Sequence, residues 1–362
     1  MICKKKILHV IAYCNGGASK VAEDIMLGTC NEFDEEFLLF QGTERCRIEL
    51  LKKRNIEVYT LNYKNRLNPF IVFRLRRYMK DVDIVHAHQF PALYWVAIAS
   101  LLIFKPPKLV FTEHAAHNNR RGRWYLRWIE KLIYRRYNKI VGVSKSVTEN
   151  IRKWIGDTNK LVTIYNGIDI SGNRKLVFPI NLKKQFPYPY LICMVGRISV
   201  DKDIDTLINA MSLLPCEYHL LLVGDGELLE EKQLKVKLLG IENKVSFLGY
   251  RKDILSILNE CDLSILSSFS EGFGLVILES LSVGTPCIGS CVNGIIDIFT
   301  EDNRIFLFKQ GDAKELADKI KMMIHAKNDE KIISQIRDIC VRYDINNMIL
   351  KYLAVYKGLL NK

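Results

Sequence analysis

Short apolar runs alternate with amphipathic, helix-length segments along almost all of this 362-residue chain, and no other feature restricts its fold as strongly. The spacing predicts strands over residues 6–11, 36–40, 56–60, 83–86, 108–112, 139–143 and 161–164, with helix-length segments between them. The second half continues the pattern at 190–195, 218–223, 244–248, 262–266, 286–289 and 305–308, and residues 330–362 read as helix again. A strand, crossover helix, strand rhythm builds parallel sheets, so the expected class is α/β. There are too many strands for one ordinary sheet, and the length also suits two domains. Residues 168–189 carry Gly172, Pro179, Pro187 and Pro189 with little periodicity, which marks a boundary. The expected division is 1–170, a linker at 171–189, a second domain at 190–345 and a last helix at 346–362.

Charge is unevenly spread. Residues 1–178 hold 31 Lys+Arg against 16 Asp+Glu, while residues 179–362 hold 22 against 24. A basic half joined to a near-neutral half points to an anionic surface or a large anionic substrate for the first half. The ten cysteines include no CxxC and no Cys/His cluster with zinc spacing, so they are expected to be buried, reduced thiols. The run Ile7–Ile11 behind Lys4–Lys6 is too short for a signal core and reads as a first strand. The longest apolar run, Phe90 to Phe104, would span about 22 Å as helix, short of the roughly 30 Å hydrocarbon core. The expected location is cytoplasmic.

The chemistry concentrates at Ser270-Glu271-Gly272-Phe273-Gly274-Leu275-Val276-Ile277-Leu278-Glu279-Ser280. A strand ending near Ser267 feeds a glycine turn that opens a helix. Free N–H groups and the helix dipole favour an anion there, and glycine lets the backbone approach it. Glu271 and Glu279 can accept hydrogen bonds from hydroxyls on either side of such an anion. Hydroxyl, phosphate, hydroxyl is the layout of a nucleotide sugar. Met194-Val195-Gly196-Arg197 ends another strand, with Lys202 five residues on, and cations at a strand's carboxyl end suit a diphosphate. Asn15-Gly16-Gly17-Ala18 follows the first strand, where a plain turn is the alternative to a phosphate contact.

These residues resemble the Glu-x7-Glu motif and the Gly-Arg-x4-Lys pattern of the retaining glycosyltransferases of family 4. The resemblance implies the GT-B fold, two Rossmann-like domains facing across a cleft, with the last helix crossing back to the first domain. It implies that Glu271 contacts donor-sugar hydroxyls and Glu279 the ribose. Arg197, Lys202 and the Gly272-Phe273-Gly274 turn would hold the diphosphate, and Gly16 and Gly17 would lie near it. A strand-end histidine beside the donor sugar maps to His114 in Phe111-Thr112-Glu113-His114, and no role passes to His86 or His88. Glu271 and His114 are the candidate catalytic pair, a nucleophilic Glu271 being the lesser alternative. The segment 290–297 departs from the family pattern: of the usual paired glycines only Gly294 remains, and Asp297 stands where Glu is common. That departure leaves the donor sugar open.

Residues 119–139 hold Arg120, Arg121, Arg123, Arg127, Lys131, Arg135, Arg136 and Lys139 against the single acid Glu130, interleaved with Trp124 and Trp128. Such a segment can lie on an anionic membrane surface, and a helix packed on its sheet with a solvated basic face is the plainer alternative.

The reading is a metal-independent, cofactor-free retaining transferase, peripheral on the inner face of a bacterial cell membrane. It would move a sugar from a nucleotide sugar, UDP- first among them, to a lipid-linked (polyprenyl diphosphate) glycan in capsule, O-antigen or exopolysaccharide synthesis. Two cations and a helix terminus would replace a divalent ion, and no Asp-x-Asp pair is expected to hold one. No nucleic-acid partner is expected. The rivals are a nucleotide-sugar epimerase of the same architecture and a non-catalytic basic binder of membrane or nucleic acid.

Overall fold

The computed structural model describes residues 4–14, 16–42, 47–115 and 124–361. The chain divides into two compact units, Met1–Asn166 with Asn346–Lys362, and Gly167–Ile345. In the first, strands β1 (Lys6–Tyr13), β2 (Asp34–Gln41), β3 (Glu57–Thr60), β4 (Ile84–His88), β5 (Lys108–Glu113), β6 (Lys139–Gly142) and β7 (Leu161–Thr163) form one sheet in the order β3-β2-β1-β4-β5-β6-β7. Every pairing is parallel. Its helices are α1 (Gly17–Thr29), α2 (Ile48–Lys53), α3 (Ile71–Met79), α4 (Ala92–Leu101), α5 (Trp124–Arg136) and α6 (Lys145–Ile155).

The second unit repeats the scheme with α7 (Ile170–Lys175), α8 (Leu182–Gln185), β8 (Tyr190–Val195), α9 (Ile204–Ser212), β9 (Tyr218–Val223), α10 (Leu229–Leu238), β10 (Val245–Gly249), α11 (Ile254–Glu260), β11 (Leu263–Leu266), α12 (Leu275–Ser282), β12 (Cys287–Ser290), β13 (Leu307–Phe308), α13 (Ala313–Ala326) and α14 (Glu330–Arg342). Its strands pair in parallel in the order β10-β9-β8-β11-β12-β13. Thus both units are Rossmann-like α/β domains, and all thirteen expected strands are present with edges shifted by no more than two residues.

The strands form because their Val, Ile and Leu runs are covered on both faces. Every residue of β4 and β9 is buried. Helix starts are fixed by polar side chains that take up otherwise unpaired N–H groups. Ser144 caps α6, Asp203 caps α9 and Asp312 caps α13, each contributing about 1 kcal/mol. Residues 171–189 contain two short helices and lie within the second unit. They are pinned by Glu260, whose two oxygens accept from the amides of Ile180, Asn181 and Leu182. The last helix, α15 (Ile345–Leu360), joins the first unit from Asn346 onward. There Tyr352 and Tyr356 are fully buried, and Lys357 pairs with Glu32.

In each sheet the strand order reverses once beside its first strand, between β1 and β4 and between β8 and β11. Ligands of open α/β sheets bind outside the carboxyl ends of the strands at such points. The two groups of candidate residues sit at these ends.

Candidate functional site

In the second unit, β8 leads into Gly196 and Arg197, and β11 leads into Ser267, Ser268 and the Glu271 turn. Lys202 Nζ forms an ion pair with Glu271 Oε1, each side chain retaining 17% exposure. The Ser268 hydroxyl donates to the same oxygen at 3.0 Å. Ser268 is itself held, its amide donating to the Ser290 hydroxyl at 2.9 Å at the end of β12. Gly274 is the N-cap of α12 at φ +80°, a left-handed conformation that side chains resist, so the turn can open the helix only with glycine there. The Glu271 carboxylate, the Lys202 ammonium and the start of α12 are therefore gathered at the switch point of the second sheet.

The remaining expected site residues of this unit are less uniform. Arg197 reaches Glu227 Oε2 from Nε at 3.1 Å and from Nη2 at 3.0 Å, but the arginine side chain is 70% exposed, and such a pair is readily exchanged for another anion. Gly272 is half-buried in the turn. The Phe273 ring is buried edge-on against Tyr343 at 5.3 Å, so this residue offers a ligand its backbone rather than its side chain. Glu279 is half-buried on the second turn of α12. Gly294, the survivor of the altered 290–297 segment, has φ +87°, and a Cβ there would lie 2.1 Å from the Glu271 carbonyl oxygen. It must remain glycine for the Glu271 turn to pack as it does. The Asp297 carbonyl accepts from the Tyr343 hydroxyl at 2.6 Å.

In the first unit, Gly16 is the N-cap of α1 and Gly17 its first residue, at the carboxyl end of β1. Asn15 lies outside the described residues. His114 follows β5 directly and is part of a network that local sequence pattern does not reveal. Strand register places Glu35 beside Ile7, His9 beside His86, and His88 beside Thr112. Alternation along each strand then puts Glu35, His9, His86, His88, Thr112 and His114 on one face of the sheet. His9 Nε2 lies 3.2 Å from Glu35 Oε2, His9 Nδ1 lies 3.0 Å from His88 Nε2, and His88 Nδ1 lies 3.2 Å from His114 Nε2. His86 branches off, its Nδ1 at 2.7 Å from the Tyr356 hydroxyl and its Nε2 at 2.7 Å from Thr112 Oγ1.

Burial holds His86 and His88 far below the usual imidazole range, with the neighbouring histidines adding to the effect. Burial lowers His114 in the same direction. The rings of His9, His86 and His88 are close enough together to raise the question of a metal. Five of their six ring nitrogens are hydrogen-bonded, and the sixth, His9 Nε2, lies 3.2 Å from Glu35 Oε2, which fits a network of imidazoles better than a metal cage. Gln89, next after β4, carries no signal in the sequence; it has φ +64°, and its buried Oε1 has no hydrogen-bonding partner among the described residues.

Two expectations need correction. Asp-x-Asp pairs do occur, at Asp81/Asp83, Asp201/Asp203 and Asp203/Asp205. The Asp83, Asp203 and Asp205 carboxylates are committed to Lys5, to the start of α9, and to Lys232 and Lys235 respectively. The expectation of buried thiols throughout fails at Cys14, which is disulfide-bonded, and at Cys216 and Cys291, which are exposed; seven cysteines are free among the described residues.

The basic segment has its own geometry. Arg120, Arg121 and Arg123 lie outside the described residues. On α5, Trp124, Trp128 and Leu132 recur every four residues and are 78%, 69% and 62% exposed, while Glu130 is completely buried. Glu130 accepts from the Tyr94 hydroxyl at 2.8 Å and from Trp154 Nε1 at 2.6 Å. The helix is thus inverted, its acid inward and its tryptophans outward. Lys131 sits over the Trp128 ring at 5.5 Å, and Arg135 is exposed. Arg127 caps the end of α6, its Nε donating to the Trp154 carbonyl at 2.8 Å, and Arg136 donates to Ser100 at 3.2 Å. Among the described residues no helix is long and apolar enough to cross a membrane.

The two units match two models of one enzyme class: Glycosyltransferase Family 4 over residues 16–171 and Glycosyl transferases group 1 over residues 180–338. With the paired Rossmann-like units, this identifies the chain as a member of glycosyltransferase family 4, with the GT-B fold. N-acetyl-alpha-D-glucosaminyl L-malate synthase of Bacillus anthracis is 29% identical over 66% of this chain, an alignment that spans 65% of that relative's length. A Campylobacter jejuni alpha-1,4-N-acetyl-D-galactosaminyltransferase named for a diNAcBac-PP-undecaprenol-linked acceptor is 23% identical over 97% of this chain and 98% of its own. In fold, the chain resembles HepE of Anabaena, solved in complex with UDP-glucose, with a TM-score of 0.85 at 24% identity over 98% of this chain and 99% of HepE.

Proposed function

We propose that this protein is a retaining glycosyltransferase that takes a sugar from a nucleoside-diphosphate sugar, UDP-linked first among candidates, and places it on a lipid-linked glycan in bacterial surface-polysaccharide synthesis. The observation that carries the reading is the meeting of Lys202, Glu271 and the start of α12 at the switch point of the second sheet. A cation and a helix N-terminus beside a carboxylate suit a ligand with an anionic diphosphate and a hydroxyl-rich sugar. The Campylobacter relative, matched along nearly the whole chain, supports a polyprenyl-diphosphate-linked acceptor.

In this reading Lys202, Arg197 and the amides opening α12 offset the charge that grows on the departing nucleoside diphosphate. Preorganised stabilisation of that kind is usually the largest catalytic contribution. Glu271 and His114 hold the sugar hydroxyls as the ring gains oxocarbenium character, and Glu279 holds the ribose. The bond from the anomeric carbon to the phosphate oxygen breaks, and the bond to the acceptor oxygen forms on the same face. The acceptor proton passes to the phosphate oxygen. These groups act without a divalent ion in this proposal.

The outward tryptophans of α5, flanked by Lys131 and Arg135 in a strongly basic half-chain, support peripheral docking on an anionic leaflet. A cytoplasmic location, on the inner face of the membrane, follows from the same proposal. The test is nucleotide release from a panel of UDP-, GDP- and ADP-sugars with membrane extract and EDTA. Release that needs both one donor and the extract supports transfer. Conversion of donor without extract would favour an epimerase, and no release from folded protein would overturn the transferase reading.

A further inference from the structure

We propose that Glu35, buried in the sheet of the first unit, fixes the tautomer of His114 through His9 and His88, leaving Nδ1 of His114 as the unprotonated, accepting nitrogen. The role given to that nitrogen in transfer rests on the proposed function; the tautomer itself does not.

Each neutral imidazole has one N–H and one lone pair, and which nitrogen holds the proton is set by what the other one faces. The chain Glu35, His9, His88, His114 has one contact at each step, at 3.2, 3.0 and 3.2 Å. If Glu35 Oε2 accepts, His9 must carry its proton on Nε2. His9 Nδ1 then accepts from His88 Nε2–H, and His88 Nδ1 accepts from His114 Nε2–H. Every ring in the relay is driven into the same tautomer.

An ionised Glu35 carboxylate leaves Oε2 as an acceptor, and Thr29 lets a carboxyl protonated on Oε1 do the same. The Thr29 hydroxyl lies 2.5 Å from Glu35 Oε1 and 2.8 Å from the Ile25 carbonyl. With an ionised carboxylate, Thr29 donates to Oε1. With a neutral one, Oε1–H donates to Thr29, which donates onward to Ile25. Both arrangements leave Oε2 facing His9 with lone pairs only, whereas a proton on Oε2 itself would reverse the relay and put the proton of His114 on Nδ1. Neither Oε2 nor His9 Nε2 makes an aligned hydrogen bond to any described residue, yet the two lie 3.2 Å apart, so each is the complement that the other lacks. Leaving such atoms unmatched in a buried site is costly.

Glu35, His9 and His88 are buried, whereas His114 keeps partial exposure at the end of β5. His114 is therefore the only member of the relay able to meet a ligand, and its Nδ1 has no partner among the described residues. A fixed accepting nitrogen would take a hydrogen bond from a sugar hydroxyl without the cost of choosing between tautomers. His86 stands beside the relay, held by Tyr356 and Thr112, and makes no hydrogen bond to His9 or His88. Glu35, His9 and His88 are positioning residues in this scheme.

Nitrogen-15 NMR of the histidine side chains in the full-length protein reads the tautomer directly and needs no substrate. His9, His88 and His114 should all be neutral with the proton on Nε2, and a proton on Nδ1 of His114 in the unaltered protein would overturn the proposal. Glu35→Gln can rescue the relay, because its amide NH2 can donate to Thr29 while its oxygen accepts from His9. Glu35→Leu removes the acceptor, so His114 should become a mixture of tautomers and nucleotide release should fall at least tenfold. An unchanged His114 tautomer in folded Glu35→Leu would also sink the idea. If Glu35→Leu fails to fold, the spectrum of the unaltered protein still tests the tautomer. An intact relay in a protein that turns over no nucleotide sugar would count against the transferase reading alone.

Discussion

Lys202 and Glu271, 69 positions apart in sequence, are joined as an ion pair that also takes in the Ser268 hydroxyl. Each side chain is mostly buried, so neither charge is fully compensated by water. An anionic ligand arriving at the start of α12 would compete with Glu271 for Lys202. The two residues should therefore respond to substitution in opposite senses.

Glu271→Gln frees Lys202 and removes an acceptor for sugar hydroxyls. Turnover should fall by more than tenfold while the nucleoside diphosphate binds as tightly as before or more so. Lys202→Ala should weaken nucleoside-diphosphate binding by roughly ten- to a hundredfold, as expected for a lost charge-assisted hydrogen bond. Isothermal titration with UDP and GDP, beside turnover, separates the two effects. Parallel losses in both variants would contradict the assignment. Arg197→Ala should act mainly on KM.

Gly294→Ala puts a methyl group against the Glu271 carbonyl at a backbone conformation that alanine resists. The variant should lose about 1–3 kcal/mol of stability and most of its turnover, since the Glu271 turn must shift. Thermal denaturation with a turnover assay checks this. Full activity at unchanged Tm would show that the segment 290–297 does not support the turn.

The exposed stripe Trp124, Trp128 and Leu132 should anchor the first unit to anionic vesicles. Trp124→Ser with Trp128→Ser should reduce vesicle binding at least tenfold. Lys131→Gln and Arg135→Gln should each cost about fivefold at low salt, near 1 kcal/mol per basic residue. Co-sedimentation across a salt series tests both, and binding that ignores salt would remove the electrostatic part of the proposal.

Acid should weaken the first unit early. His86, His88 and His114 are all lowered by burial, so the unfolded chain binds protons at these sites before the folded chain does. Stability then rises with pH wherever the unfolded state holds more protons, and is lost as pH falls below about 6.5, the ordinary imidazole value. Each such histidine steepens the loss by up to about 1.4 kcal/mol per pH unit. Hydrogen exchange in the first unit from pH 7.5 to 5 should show progressive loss of protection. A flat profile would mean that the imidazoles are charged in the folded protein as well.

The sequence by itself determined the strands, because burial on both faces demands unbroken apolar runs and the intervening helices carry their own period. It also determined that Glu271, Gly274, Arg197 and Lys202 lie beside strand ends, because a turn after a buried strand has nowhere else to be. It did not show the helices α7 and α8, which are too short to display a period. It could not show that Lys202 meets Glu271, that Gly294 packs on the Glu271 backbone, or that Glu35, His9, His88 and His114 form one line. Those contacts depend on strand order and register, which join distant segments, and local pattern carries no record of which strand lies beside which. The inversion of α5 was hidden for a related reason. Its composition gives an amphipathic helix, but only the packing of Tyr94 and Trp154 around Glu130 decides which face turns inward.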